Sequence, residues 1–311
     1  MVVSHDSETD LPGCLQALSD ADGVGQVVVV DCSSADGSVA VGRRWAGKGG
    51  AVVALDENIG YAGGANRGLS ELPGHVDVVA FMNPDVRIAP DCLRRCADVL
   101  AAEPGLAGVA PRLMRPGGAT VDSVGQVLTR ATLEVRDLGY GHPLDGAILE
   151  PRPVLAACGA LAVFRRSALS EVSGAGGPFA GHFFCFWEDL ELGWRLTNRG
   201  WRLRNVPEAV AEHRRGGGAA AGTGPLRWRR PARLEACVLS NRWMTLARHL
   251  HGLDLVRRLP LLLAWDLATV AAGSIRRPVL LAHLRRRLGL VVGELRGRRR
   301  WPRRRLAELP W

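Results

Sequence analysis

Residues 27–31 read VVVVD, a β-branched run with no polar alternation. A strand with one wet face alternates apolar and polar residues, so an unbroken run has to be covered on both faces, as in a parallel sheet. Two more short runs share this character, AVVAL at 51–55 and VDVVAFM at 76–82. Helical stretches separate and follow them: 65–72, then 90–102, where Leu93, Cys96, Ala97 and Leu100 form one face. Strands alternating with helices predict an α/β layer fold around a mainly parallel central sheet. Ligands of such sheets bind beyond the carboxyl ends of strands, which directs attention to the turns after Val3, Val30, Leu55 and Met82. Only Met1, Val2 and Val3 precede Ser4-His5-Asp6. That is short of the ~5–6 residues of a typical strand, so the true start is expected upstream of Met1.

Further along, CGALAVF at 158–164 predicts another strand, with a helix starting at Ser167. Residues 183–199 begin aromatic and become a helix whose first turn is acidic, as the helix dipole favours. The glycine-rich 216–225 reads as a linker. Charge divides there too. Residues 1–213 hold 18 basic and 26 acidic residues, a net of −8, whereas 214–311 hold 22 arginines and 5 acids, a net of +17. Two parts with different partners are expected: a catalytic domain over 1–215 and a basic helical tail over 226–311. Seven scattered cysteines without a C-x-x-C pair fit a reduced, cytoplasmic setting, and Cys92 and Cys96 suit one apolar helix face better than a metal site. No N-terminal signal peptide is visible. The longest apolar stretch, 259–273, is interrupted by Asp266 and falls short of the ~18–20 residues that span a bilayer.

Four features lie where the crevice of an α/β sheet is expected. Asp31 ends a strand, where a carboxylate either accepts hydrogen bonds from a base or ribose or caps the next helix. Residues 58–68, NIGYAGGANRG, combine glycines that permit close backbone approach with a following helix start that favours phosphate, although a plain flexible loop reads the same way. Asn83-Pro84-Asp85 follows an apolar strand directly, either as a turn or as a carboxylate placed to hold Mg²⁺ or Mn²⁺ beside phosphates. In Phe183-Phe184-Cys185-Phe186-Trp187-Glu188-Asp189-Leu190-Glu191, three acids follow a largely aromatic run. Apolar surroundings raise a carboxylate's proton affinity, as a general base requires, while helix capping is the plainer role. His213, the last histidine before the linker, is either a surface residue or a metal ligand.

Taken in order, VVSHDSE, VVVVDCSSADGS, ENIGYAGGANRG, AFMNPDV, CGALAVFRRSAL and FFCFWEDLELGWRLTNRGWRLRNVPEAVAEH resemble the family 2 glycosyltransferases, specifically their rhamnosyltransferase-like branch, over residues 1 to about 215. The resemblance implies a GT-A fold that binds a nucleotide-diphospho-sugar. It implies His5 near the nucleobase, Asp31 on the base, and Asn58, Gly63, Gly64 and Asn66 in the donor-binding loop. Asp85 becomes the last acid of a divalent-metal motif whose first position is Asn83, with His213 near metal and diphosphate. Gly159 shapes the sugar pocket. Asp189, second of the Glu188-Asp189 pair, becomes the catalytic base. The implied activity is inverting, metal-dependent transfer of rhamnose or a similar hexose to a glycan or polyprenyl-diphosphate-linked acceptor in cell-envelope polysaccharide synthesis. The Gln-x-x-Arg-Trp signature of processive synthases is absent: Arg242-Trp243 is present, but Leu239 stands at the Gln position, so single addition is expected. A non-catalytic donor-binding or scaffold protein is the alternative.

Leucine stripes among arginine clusters at 276–277, 285–287 and 298–300 suit peripheral attachment to an anionic membrane surface, at the inner face of the cell membrane. Nucleic-acid binding is disfavoured because stacking aromatics are not interleaved with the arginines. Helices that merely pad the catalytic domain remain the third reading.

Overall fold

A computed structural model describes residues 1–46, 50–146, 148–215, 230–297, 304 and 306–310. In chain order come β1 (Val2–Ser4), α1 (Leu11–Ser19), β2 (Val28–Asp31), α2 (Ser38–Ala46), β3 (Ala51–Ala54), α3 (Gly60–Glu71), β4 (Val78–Met82), β5 (Val86–Ile88) and α4 (Cys92–Ala102). Next are β6 (Leu106–Met114), β7 (Val121–Ser123), β8 (Gln126–Leu128), β9 (Val135–Asp137), β10 (Pro153–Val154), β11 (Leu161–Arg165), α5 (Arg166–Val172), α6 (Glu188–Asn198) and β12 (Arg202–His213). Three helices follow: α7 (Ala232–His249), α8 (Gly252–Arg276) and α9 (Val279–Gly297).

The main sheet runs β10-β12-β6-β11-β4-β1-β2-β3, with β5 beside β12 and β7 beside β6; β8 and β9 pair separately. Strands β3, β2, β1 and β4 are mutually parallel, as are β6 and β12, while β11 lies antiparallel between β4 and β6. The sheet is therefore mixed but mainly parallel, and its α/β architecture is the one the valine runs demand. The burial explains those runs. Val28 and Val30 of β2 enter one apolar layer with α3, α5 and α6 residues, while Val29 enters the opposite layer with α1 and α4. Both faces are covered, so neither position can be polar. Cys92 and Cys96 are buried on α4 as part of its apolar face.

Some elements differ in extent from their sequence expectation. The helix expected at 65–72 begins at Gly60, so most of the expected glycine loop is helix. Gly64 makes this possible: a Cβ there would stand 2.7 Å from Val3 and 2.9 Å from the Cys32 sulfur, so α3 seats directly on the sheet. The segment 183–199 does begin aromatic and become an acidic-ended helix: a short turn at Gly181–Phe183 leads through left-handed Phe184, Phe186 and Trp187 into a helix from Glu188 with Glu188, Asp189 and Glu191 in its first turn. β1 is only three residues long, yet it lies centrally between β2 and β4.

The linker at 216–225 and the arginines at 298–300 lie outside the described residues. Beyond them α7 is largely buried, and its Met244 and Leu246 share a core with Trp194 and Leu190 of α6. α8 and α9 carry most of the exposed large apolar side chains, among them Leu253, Val256, Leu263, Leu267, Leu281 and Leu288. No described helix is long and apolar enough to cross a membrane.

Candidate active site

The strand order 3-2-1-4 opens a crevice at the carboxyl ends of β1 and β4, and a cavity of about 900 Å³ occupies that place. His5 after β1, Asn58 before α3, and Asn83 and Asp85 after β4 line it. Opposite, β11 arrives antiparallel, with Leu161 paired to Met82, and the Asn83 N–H donates to the Ala160 carbonyl at 2.9 Å. That register brings Gly159 to the same edge. The antiparallel pair of β5 and β12 aligns His213 with Val86, and so returns the end of the longest strand to Asp85.

Asp85 and His213 are both buried, with 3.5 Å between Asp85 Oδ2 and His213 Nε2. The other imidazole nitrogen lies 2.7 Å from Asp122 Oδ2. Asp122 in turn accepts Arg215 Nε, and Arg215 Nη2 reaches Asp137 Oδ2 at 3.2 Å. Burial opposes a charged imidazole, but the bonds to Asp122 and Asp85 outweigh it and raise His213 to about 9. Burial likewise opposes the Asp122 anion, yet His213 and Arg215 hold its carboxyl below the usual range. The Asp85 carboxylate is an oxygen donor of the kind that could hold Mg²⁺ or Mn²⁺ together with phosphate and water, and His213 could add a nitrogen only after giving up the proton that its two carboxylate partners favour. Among the described residues no group of three or more His, Cys, Asp or Glu is placed to hold a metal.

At the other end of the cavity stands the amino terminus of α6. Asp189 Oδ2 accepts the Gly159 N–H at 2.9 Å, and Oδ1 accepts the Leu190 N–H at 2.8 Å. Burial outweighs these bonds and pushes Asp189 up to about 6. Glu188 is held well above the carboxylate range, first by burial and then by the charge of Asp189. Its Oε2 is buried with no hydrogen-bond partner among the described residues. The segment before them is strained: Phe184, Phe186 and Trp187 have φ of 68°, 69° and 70°. Two elements hold it there. The Ala62 N–H donates to the Phe184 carbonyl at 3.1 Å, and Asn241 Nδ2 of α7 donates to the carbonyls of Phe183, Cys185 and Phe186 at 2.8–2.9 Å. Gly60, with φ of 73°, is required because a Cβ would come 2.3 Å from the Phe184 carbonyl.

Of the residues singled out in the sequence, the cavity wall brings together His5, Asn58, Asn83, Asp85, Gly159, Glu188, Asp189 and His213. Asp31, Gly63, Gly64 and Asn66 are not on that wall. Asp31 is buried and accepts the Ser34 N–H and hydroxyl through its two carboxylate oxygens, at 2.9 Å and 2.6 Å, which holds the turn ahead of α2. Asn66 joins α3 to Phe179 by two bonds, at 2.8 Å and 3.0 Å. Glu191, third of the clustered acids, faces away into a buried network with Arg195, Arg248 and His249. Sequence reasoning missed Tyr61, whose hydroxyl donates to the Gly159 carbonyl at 2.7 Å, and the set of Asp122, Gln126, Asp137 and Arg215. Most of that set comes from residues 112–153, which carry little periodicity to point to them.

The sequence model of glycosyl transferase family 2 matches residues 1–173. Two curated relatives, the N-acetylglucosaminyl-diphospho-decaprenol L-rhamnosyltransferases of two Mycobacterium tuberculosis strains, are each 30% identical over 175 residues, covering 50% of this chain and 56% of theirs. The chain thus spans about half the length of the curated relatives it matches. Among solved structures, the mannosyltransferase PcManGT of Pyrobaculum calidifontis, in complex with GDP-Man and Mn²⁺, is similar with a TM-score of 0.55 at 20% identity, over 96% of this chain and 81% of that one. GalNAc-T7 with UDP, GalNAc and Mn²⁺ is similar with a TM-score of 0.60 at 12% identity, over 79% of this chain and 47% of that one. At such identities the likeness is one of fold.

Proposed function

The chain belongs to glycosyltransferase family 2, and from that premise we propose that it is an inverting, metal-dependent, single-addition glycosyltransferase with Asp189 as its base. The donor is a nucleotide-diphospho-sugar carrying rhamnose or a similar hexose, and the acceptor is a hydroxyl of a glycan or polyprenyl-diphosphate-linked substrate of cell-envelope polysaccharide synthesis. The observation that carries this reading is the raised proton affinity of Asp189, to about 6, in the same cavity as the Asp85–His213 pair.

In this mechanism Asp189 takes the acceptor hydroxyl proton as the oxygen attacks the anomeric carbon, from within about 2.6–3.2 Å in the reactive complex. The Gly159 and Leu190 N–H groups fix the carboxylate's orientation, and burial and the Asp189 charge favour the neutral form of Glu188 beside it. Asp85 and His213 would hold Mg²⁺ or Mn²⁺, which when bound neutralises charge developing on the leaving diphosphate. His5, Asn58 and Asn83 border the donor's nucleotide and phosphates. Attack by one activated hydroxyl, with no covalent intermediate, inverts the anomeric centre. Residues 1–215 form the catalytic unit, completed by α7 through Asn241. The leucines and arginines of α8 and α9 bring it to the anionic inner face of the cell membrane.

A thermal-shift screen of uridine, thymidine and guanosine diphospho-sugars with Mg²⁺ or Mn²⁺ tests the donor half. One nucleotide should stabilise the protein in a metal-dependent way, and Asp85→Ala should remove the metal dependence. An unchanged metal response in Asp85→Ala would remove Asp85 from the metal site.

A further inference from the structure

Arg230 and Arg233 stand at the amino-terminal end of α7, on the cavity wall that also holds Glu188 and Asp189. Each lies over an aromatic ring of the strained segment. The Arg233 guanidinium carbon is 4.7 Å from the centre of the Phe184 ring, and that of Arg230 is 4.8 Å from the centre of the Phe186 ring. A guanidinium held against an aromatic face is oriented before it meets a ligand, and its N–H edge stays available for paired bonds to phosphate. Other arginines of α7 are already engaged: Arg242 bonds Asp266 at 2.9 Å, and Arg248 bonds Glu191 and Glu294. Arg233 is exposed, with no acidic residue in ion-pair range among the described residues. Arg230 Nη1 lies 3.8 Å from Glu235, and its Nε is buried without a hydrogen-bond partner among the described residues.

α8 supplies an apolar neighbour. Leu262, Trp265, Asp266 and Thr269 recur on one side of this helix, and the last three line the cavity. On the far side Val256, Leu263 and Leu267 are 67%, 52% and 69% exposed. A cationic pair inside the cavity thus sits beside a helix whose outer face is bare hydrocarbon.

We propose that Arg230 and Arg233 form an acceptor-side diphosphate subsite, which takes the diphosphate of a polyprenyl-linked acceptor while its hydrocarbon lies along α8. This deepens the reading of Asp189 as base and rests on it, because the acceptor has to approach from the Asp189 side while the donor diphosphate occupies the Asp85–His213 end. One cavity then binds two diphosphates, sorted by a carboxylate–imidazole pair at one end and a stacked arginine pair at the other.

Farnesyl diphosphate is a suitable probe, followed through the fluorescence of Trp187 and Trp265, both on the cavity wall. Binding is measured on the full chain with UDP, dTDP and GDP in excess to fill the donor end. Saturable binding should persist, and Arg230→Ala and Arg233→Ala should each weaken it by about tenfold. Arg94→Ala, an exposed arginine of α4 off the cavity wall, should leave it unchanged. Displacement by the nucleotides, or equal binding by the arginine variants, would overturn the subsite. Pyrophosphate binding as tightly as farnesyl diphosphate would overturn the lipid assignment. Binding needs no turnover, so transfer that survives Asp189→Asn would sink the base assignment and leave this result standing.

Discussion

For single residues, the surroundings of each carboxylate decide what it can do. Asp189 and Asp31 both sit at the carboxyl edge of the sheet, yet Asp31 is bonded to Ser34 through both oxygens, whereas Asp189 faces the cavity. A base works only when ionised, and the ionised fraction of Asp189 rises through about 6. The rate of transfer at saturating substrates should therefore climb as pH rises through about 6 and level off above it. A profile flat from well below to well above that value would exclude Asp189 as the group that titrates. Asp85, Glu188, Asp189 and His213 stand out in the sequence, and the fold brings all four to one cavity wall. Asp122 does not stand out, because nothing marks a three-residue strand as the one that meets His213. Asp31, Gly63, Gly64 and Asn66 stand at a strand end or in a glycine-rich stretch, signals that do not say which way a side chain points.

Elements add what no single residue provides. α6 carries the Glu188-Asp189 pair, and its own position is fixed by Glu191, two residues after Asp189. Glu191 is fully buried between Arg195, at 2.7 Å, and Arg248, at 3.0 Å, and these charges hold its carboxyl well below the usual range. Arg248 and His249 belong to α7, and Glu294 of α9 bonds Arg248 in turn. Removing one member of a buried ion cluster leaves its partners uncompensated, at a cost of roughly 3–5 kcal/mol. Glu191→Ala should accordingly lower stability by about that much in urea unfolding, and should also depress transfer by loosening α6. A variant as stable as the parent would mean that the network contributes little. The third acid of the cluster is thus structural, a distinction invisible in sequence because 188, 189 and 191 are adjacent in sequence but lie on different sides of one helix turn. The same blindness applies to α7. Its arginines read as part of a basic appendage, yet Arg242 and Arg248 are buried in ion pairs, and Asn241 holds the strained segment in place.

For the whole molecule, charge and apolar exposure are unevenly distributed. Residues 1–213 are net −8 and residues 214–311 net +17. Exposed leucines cluster on α8 and α9, where arginines accompany them. If those helices meet an anionic bilayer, the protein should float with vesicles containing phosphatidylglycerol, and binding should weaken as salt screens the arginines. Equal flotation with neutral vesicles would remove the electrostatic part of that account. In the proposed mechanism donor binding and proton abstraction belong to opposite ends of one cavity. Asp189→Asn keeps the shape of the side chain and removes its basicity, so the most direct measurement is transfer rate and donor affinity on that one variant. Transfer should fall by about 10²–10⁴-fold with donor affinity nearly unchanged. Transfer that persists, or donor affinity lost in step with it, would contradict the assignment of Asp189 as the base.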